Sequence, residues 1–409
     1  MTEQNLESKL FARAIKRVQF NLKLLDLQLD ENTETKCVWK NIRNKWLFWF
    51  NVILMNIATI GEVAWLIEGV STGKSFIDLA YQAPCLTFCI ACDIQCAYFV
   101  HHRNRMLELI TSIRTLQSMS TELEKTDVTI LNGQVKIFYI TVNTLTLMKC
   151  LALSSFGLIP FLTLYWSYQR TGEVELVLPF YIAYPFDATD VRFWPIAYIQ
   201  QIWAALLACL LLLTPSFLCY ACSTFIIFQF HLLKKNLENI IPYEDNLATY
   251  IINKDLKTEF MKIINRHRKL IKCVDLMKEV YTESNLFNII FSSILICLTG
   301  FNVMAIEDIA LAVPFLPFLL MDLLQIFFIC YYGDMIMTYS TSISDAVYKC
   351  QWYRAEAAIL KDLLFLSLRA QKPCILTALQ FSDMNFKTFT RILSSSWSYF
   401  ALLKSIYRN

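Results

Sequence analysis

The longest uncharged stretch constrains this chain most. It includes Ile196 to Phe228, and none of these residues is Asp, Glu, Lys or Arg. A helix that crosses the hydrocarbon core of a bilayer needs roughly 20 mostly apolar residues. The stretch exceeds that length, and the whole chain is 56% hydrophobic and 17% charged, with a mean hydropathy of +0.43. The sequence therefore predicts a membrane protein.

Seven stretches reach the required length with mostly apolar side chains. The fourth contains most of the uncharged run, whereas the first, second and seventh are weaker because they hold ionisable residues. The seven predicted spans cover residues 46–67, 77–100, 137–164, 195–222, 286–306, 312–331 and 386–406. The sequence therefore predicts an all-α membrane protein with seven transmembrane helices.

Basic residues lie mainly on one side of these spans. With a cytosolic N-terminus, the four inner segments hold 28 of the 37 Lys and Arg residues and the four outer segments hold five. Positive charge concentrates in the cytosolic loops of membrane proteins. The prediction is a cytosolic N-terminus and an extracellular C-terminus, the reverse of a G-protein-coupled receptor.

Segments outside the bilayer also show helical periodicity. Apolar residues recur three and four positions apart over residues 231–286, and again over 335–372, where Pro373 follows. Both patterns predict helices that extend the spans into the cytosol. Residues 6–29 are amphipathic, and two placements stay open for them: the inner membrane interface or the cytosolic surface of the bundle.

The motifs that mark enzymes are missing from the sequence. It contains no glycine-rich phosphate loop, nucleophile elbow, zinc-protease pair or kinase signature. The net charge of +3 gives no reason to expect nucleic acid as a partner. Cysteines 85, 89, 92 and 96 share one face of the second span, where apolar packing suits them better than a metal site. We expect neither an enzyme nor a cofactor or metal.

Five ionisable side chains fall inside the first six predicted spans. They are Glu62, Asp78, Asp93, Lys149 and Asp322. Such groups are costly in a bilayer and are candidates for contact with ligand or ions. They form no pair by sequence spacing, so structural roles stay open for each.

The last span carries a polar stripe along its whole length. At 100° per residue, one face holds Arg391, Ser395, Ser398, Leu402, Ser405, Ile406 and Asn409. A polar stripe in a bilayer must face protein or water, so it serves either helix packing or a water-filled path. One stripe cannot enclose a channel, but copies around a symmetry axis can, with Leu402 and Ile406 as an apolar constriction.

Two regions of the chain resemble a known family. The predicted outer loop reads LPFYIAYPFD over residues 178–187. The C-terminal third contains CYYG at 330–333, AVY at 346–348, WY at 352–353, QKP at 371–373 and SYFALL at 398–403. In this order and with this layout of spans, the chain resembles the insect odorant receptors. It resembles a ligand-tuning subunit, because it lacks the long second intracellular insertion of the odorant receptor co-receptor.

The resemblance implies a cation channel that an odorant opens directly. Tuning subunits of this family assemble with the co-receptor into a tetramer in the plasma membrane of the olfactory neuron dendrite. The implied organisation is a cytosolic segment at 1–45, transmembrane helices at 46–331, anchor-domain helices at 230–285 and 332–384, and a pore-lining helix at 385–409. The resemblance implies a gate at Leu402 and Ile406, and the polar stripe adds Arg391, Ser395 and Ser398 as candidate pore residues.

The implied ligand is a small volatile molecule held in the outer half of the bundle. Depth and side-chain chemistry give the candidate contacts Tyr81, Ser154, Gly157, Phe161, Tyr198, Ile202, Phe315 and Phe318. A mostly apolar, aromatic cavity with one or two hydroxyls suits such a molecule. Two other classes stay open. They are a metabotropic seven-helix chemoreceptor, which the orientation disfavours, and a secondary transporter, which the lack of internal repeats disfavours.

Overall fold

The protein is a bundle of long helices. The computed structural model describes residues 4–24, 27, 45–119, 123–172, 176–241, 254–306, 309–355 and 357–408. The helices are α1 (Gln4–Leu24), α2 (Trp46–Thr72), α3 (Phe76–Ser118), α4 (Lys125–Thr171), α5 (Trp194–Glu238), α6 (Lys254–Ala305), α7 (Ile309–Ala312), α8 (Phe315–Lys349), α9 (Ala357–Ala370) and α10 (Phe386–Arg408). A 3₁₀ turn at Trp352–Arg354 follows α8, and strands β1 (Thr377–Ala378) and β2 (Ser382–Asp383) form an antiparallel hairpin before α10.

The predicted spans coincide with helices. Within the described ranges, six helices are long and apolar enough to cross a membrane, namely α2 to α6 and α8. Large apolar side chains are exposed along α2, α4 and the start of α5, as expected for surfaces that face lipid; examples are Ile53, Ile60, Leu147, Leu158 and Ile196. Helix α10, which corresponds to the seventh predicted span, differs from these six helices because it is amphipathic. Its 23 residues are nevertheless long enough to cross a bilayer.

The bundle has two halves, which differ in the segments that pack around the long helices. The cavity half contains the loop of residues 176–193 between α4 and α5. The hairpin half contains β1, β2, α1 and α9. Helix α10 starts beside the hairpin and reaches the cavity half, where Phe400 and Leu403 pack against Ala80, Phe301 and Ala305.

Helix α1 packs on the bundle in the hairpin half. The Phe11 ring meets Phe225 of α5 edge to face, with ring centroids 4.8 Å apart. Next to this contact, Gln229 Nε2 donates to Glu7 Oε1 at 2.7 Å, and Arg266 Nη2 donates to Gln229 Oε1 at 2.7 Å. Burial lowers the pKa of Arg266 to about 10. Of the two placements open for this segment, the structure has the one on the bundle, with Leu25 and Leu29 outside the described residues.

The extension after the sixth span is not one continuous helix, contrary to the prediction for residues 335–372. Helix α8 ends at Lys349, where Gln351 adopts a left-handed conformation with φ of 55°, and α9 begins only at Ala357. The segment after α9 returns to α8, where the Cys374 amide donates to Ser340 Oγ at 3.0 Å. Because α9 folds back in this way, its buried face covers α8 instead of prolonging it.

A glycine sets the distance between α8 and the hairpin. A Cβ atom placed on Gly333 would overlap the Met384 carbonyl oxygen, which is backbone and cannot rotate away. The Met384 amide in turn donates to Leu376 O at 2.8 Å across the base of the hairpin. Gly333 therefore allows the chain that leads into α10 to lie directly on α8.

Candidate functional site

An apolar cavity lies inside the cavity half. Five elements line it: α2 with Ala58 and Glu62; α3 with Cys85, Phe88 and Cys89; α4 with Ala152, Leu153 and Phe156; α5 with Gln201, Ala204, Ala205, Ala208 and Cys209; and α8 with Phe318, while Phe180 and Ile182 of the loop complete the wall. The space open to the centre of a water-sized sphere is about 60 Å³. One water needs roughly 10–15 Å³ on this measure, so the cavity has room for a compact molecule of several heavy atoms.

Small side chains one helical turn apart create this space. On α5, Ala204 and Ala208 lie four residues apart and therefore on the same face. Cys85 and Cys89 have the same spacing on α3. Neighbouring helices meet these faces without filling them, because alanine and cysteine are short. The predicted cysteine face of the second span is thus a packing surface, and Cys92 donates its thiol to Ala208 O at 3.1 Å.

The loop of residues 176–193 closes the cavity from one end. Buried glutamines hold its backbone: Phe180 N donates to Gln201 Oε1 at 3.0 Å and Gln201 Nε2 donates back to Phe180 O at 3.1 Å. Tyr181 N donates to Gln82 Oε1 at 3.1 Å. A buried loop must satisfy its peptide groups inside the protein, and these amide side chains do so. The LPFYIAYPFD motif at residues 178–187, which carries part of the family resemblance, therefore forms one wall of the cavity.

Gly61 lets this loop approach α2 closely. The Ala183 amide donates to Gly61 O at 3.0 Å. A Cβ on Gly61 would overlap Ile182 Cγ2 and come within 3.1 Å of Ala183 O. Ile182 lines the cavity, so a side chain at position 61 would displace a residue of the cavity wall.

Aromatic rings surround the cavity on the side of α8. Phe156 meets Phe315 edge to face at 5.4 Å between centroids, and Phe88 meets Phe318 at 5.2 Å. Tyr81 lies behind this layer, with its ring centroid 5.2 Å from that of Phe315. Such rings offer apolar contact area on a rigid frame, which suits a small apolar or aromatic ligand.

Seven of the eight predicted ligand contacts fall into two groups. Phe318 lines the cavity, with Phe315 and Tyr81 in the layer behind it. Gly157, Phe161, Tyr198 and Ile202 lie together between α4 and α5, where Tyr198 donates its hydroxyl to Gly157 O at 2.9 Å and the Phe161 ring is 5.3 Å from that of Tyr198. Ser154 is exposed, and its hydroxyl donates to Leu151 O of its own helix. Contact with a ligand stays a prediction for all eight.

The five ionisable residues of the first six spans differ in position. Glu62 lines the cavity and is 2% exposed. Lys149 and Asp322 are also buried, whereas Asp78 is exposed at the start of α3 and Asp93 is half-buried beside Asn56. The sequence does not distinguish Glu62 from the other four, but it is the one of the five that lines this cavity.

The polar stripe of α10 faces away from its own bundle. Ile392 and Ser396 are buried against the bundle, and Ser396 Oγ donates to Ser293 O at 3.3 Å. The stripe lies on another face of the helix: Arg391, Ser398, Leu402 and Ser405 are exposed and Ser395 is half-buried. The Ile406 side chain lies outside the described part of the structure. The stripe is therefore free to meet other molecules.

The comparisons with known proteins agree over nearly the whole chain. The sequence model of the 7tm odorant receptor family matches residues 75–397. Odorant receptor 67c of Drosophila melanogaster is 24% identical over 380 residues, which are 90% of each chain. Odorant receptor 85c of the same species is 22% identical over 388 residues, which are 93% of this chain and 94% of the relative.

The fold is also found among solved structures. The insect olfactory receptor OR5 from Machilis hrabei, solved in complex with eugenol, superimposes with a TM-score of 0.77 at 14% identity. The match covers 97% of this chain and 98% of OR5. The seven predicted helices, the described fold and the family match are consistent, and this chain belongs to the insect 7tm odorant receptor family as a multi-pass membrane receptor.

Proposed function

We propose that this chain is the odorant-binding subunit of a ligand-gated, non-selective cation channel. In the proposal the N-terminus is cytosolic, the C-terminus is extracellular, and the chain lies in the plasma membrane. It assembles with the odorant receptor co-receptor, as a tetramer, and a small volatile in the cavity opens a pore lined by α10 of each subunit. OR5 is described in complex with eugenol, which supports a small organic ligand for this fold.

One observation carries the channel proposal. Leu402 is 56% exposed and lies on the same exposed face of α10 as Ser398 and Ser405. Ser398 Oγ donates to Ser394 O and Ser405 Oγ donates to Leu402 O of the same helix, and the lone pairs that remain on these outward hydroxyls favour water or protein over lipid. A ring of such faces around an axis provides both, with the Leu402 side chains as the apolar constriction. Arg391 lies at the hairpin end of the stripe.

The hairpin half offers a surface for assembly. Large apolar side chains are exposed around the end of α8 and on α9: Tyr348, Trp352, Tyr353, Leu364, Phe365 and Leu368. Contiguous exposed apolar area of this kind marks interaction sites. Its place in the predicted segment 332–384 supports the anchor-domain role.

A gate variant tests the proposal. In cells that express this chain with the co-receptor, Leu402→Ala should raise the current recorded without odorant, because the constriction loses most of its apolar bulk. The matched control is Leu158→Ala on α4, which is similarly exposed, at 55%, but lies outside the proposed pore helix, and it should leave the resting current unchanged. Equal resting currents in both variants, at equal surface expression, would contradict the gate.

The orientation has a separate test. An epitope tag after Asn409 should be accessible to antibody on intact cells. Staining only after permeabilisation would exclude the extracellular C-terminus and with it the proposed pore arrangement.

A further inference from the structure

Glu62 is a polar group in the cavity wall without a full set of partners. It is buried, and its Oε2 atom has no hydrogen-bond partner within the described residues. The Cys89 thiol and the Gln82 side chain flank the carboxyl group. Gln82 Nε2 also lacks an acceptor, since only its Oε1 is used, by the Tyr181 amide. A buried polar atom that is left unpaired costs free energy and calls for an explanation.

The surroundings of Glu62 favour its neutral form. No Lys, Arg or His side chain is among the residues that line the cavity. An isolated carboxylate in such surroundings is costly, and the group takes up a proton instead. A protonated carboxyl group presents one O–H donor. The cavity therefore contains a hydrogen-bond donor without an acceptor, next to the unpaired amide of Gln82.

We propose that Glu62 donates a hydrogen bond to the carbonyl oxygen of the ligand, so that this receptor prefers volatile ketones, aldehydes and esters. The inference rests on the proposed odorant-binding function and specifies its ligand class. The hydrocarbon part of the ligand would lie against Phe88, Phe156 and Phe318, which line the same cavity. A carbonyl oxygen only accepts hydrogen bonds, so it matches a site that offers donors.

The position of Glu62 in the cavity also explains how the receptor would distinguish a carbonyl compound from an analogue without the oxygen. A ligand of the same shape without the oxygen would enter the cavity but leave the Glu62 donor unpaired. Sites that hydrogen-bond a ligand reject analogues that lack the polar atom, because the buried group of the protein then has no partner. We expect a preference of about tenfold or more for the carbonyl compound.

Matched ligand pairs provide the test. The probes are methyl ketones of five to eight carbons and the alkenes in which CH₂ replaces the carbonyl oxygen, such as 2-heptanone and 2-methylhept-1-ene. The readout is the ligand-dependent rise of the melting temperature of the full-length receptor, purified with any subunits that accompany it. The ketone of at least one pair should stabilise the wild type at a concentration about tenfold below that of its alkene.

Three variants make the outcome specific. Glu62→Met removes the donor and should bring ketone and alkene to within about threefold of each other. Glu62→Gln keeps an N–H donor and should retain the preference. Glu68→Met changes an exposed carboxylate on the same helix and should behave as the wild type. The melting temperature without ligand verifies that each variant is folded, and if Glu62→Met does not fold, loss of the preference in Glu62→Leu replaces it.

The two proposals fail in different ways. Ketone-dependent stabilisation without any odorant-evoked current would refute the channel function and leave the role of Glu62 intact. Equal stabilisation by both members of every pair, no stabilisation by any pair, or a preserved ketone preference in Glu62→Met would overturn the inference. In the last case the carboxyl group serves Gln82 rather than a ligand.

Discussion

Helix α5 passes through both halves of the bundle and behaves differently in each. In the hairpin half it is a central column, since every residue from Leu210 to Phe230 is buried. Aromatic side chains such as Phe225 and Phe228 fill the space around it there. In the cavity half the same helix presents Ala204, Ala205 and Ala208 to an open space.

The difference lies in side-chain volume, since the element is helical throughout. Dense packing holds neighbouring helices in one arrangement, whereas short side chains on one face leave room for a ligand. The hairpin half therefore serves as a rigid frame. The cavity half can respond to a ligand while the frame keeps the subunit folded. Substitutions in the two halves should separate stability from ligand response.

The largest effect is expected from Phe225→Ala in the packed column. The variant removes a fully buried ring and its edge-to-face contact with Phe11, which should lower the free energy of unfolding by about 3–5 kcal/mol. Denaturant titration of the purified receptor in detergent measures this. Phe20→Ala is the control, because Phe20 on α1 is 59% exposed. Equal losses in both variants would mean that the column is not the rigid part.

Gly333→Ala should have the next largest effect. The new methyl group would push the Met384 backbone, and the start of α10, away from α8. Overpacking of this kind costs about 1–3 kcal/mol. Gly133→Ala is the matched control, since its Cβ would meet nothing within 4 Å and alanine is the better helix former. Thermal melts of both variants measure the difference, and an unchanged melting temperature in Gly333→Ala would show that the hairpin tolerates displacement.

The membrane-spanning helices of this fold can be predicted from the sequence, whereas the connections between them cannot. Lipid demands long apolar runs, so hydropathy locates the spans. The break after α8 and the hairpin turn depend on positive φ angles at Gln351, Leu379 and Gln380. None of these residues is glycine, so no local signal marks the turns. Hydropathy also does not reveal the helical stretches 101–118 and 125–136, because their surfaces are polar.

Only some of the residues that line the cavity can be predicted from the sequence, for a related reason. Depth along a span follows from the sequence, and Phe318, chosen by depth, lines the cavity; its contact with a ligand stays a prediction. The rotation of each helix about its axis does not follow from depth, so Phe156 and Phe88 were missed. The wall formed by Phe180 depends on a loop that enters the bundle and is held by Gln201. Pairing of that kind between distant segments has no spacing pattern to detect.

Ala204→Leu should reduce ligand response without a comparable loss of stability. Three extra carbon atoms would enter a cavity of about 60 Å³, and the concentration of a matching volatile for half-maximal current should rise about tenfold, as for one lost contact worth 1.4 kcal/mol. Concentration–response curves in cells that express the co-receptor measure the shift. The control is Ala97→Leu, at an exposed position on α3. If Ala204→Leu responded as the wild type, the cavity would not be the ligand site.

The smallest effect is expected from Phe161→Ala, and it decides how far the ligand site extends. Phe161 is 45% exposed and contacts Trp194 and Tyr198 between α4 and α5, outside the cavity wall. Its loss should reach the ligand only through Tyr198 and shift the half-maximal concentration by threefold or less, below 1 kcal/mol. A shift above tenfold at normal surface expression would place the ligand between α4 and α5, beside Gly157 and Ile202. The ligand would then contact the side of α5 that faces α4, and the cavity would no longer be the feature that distinguishes the two halves of the bundle.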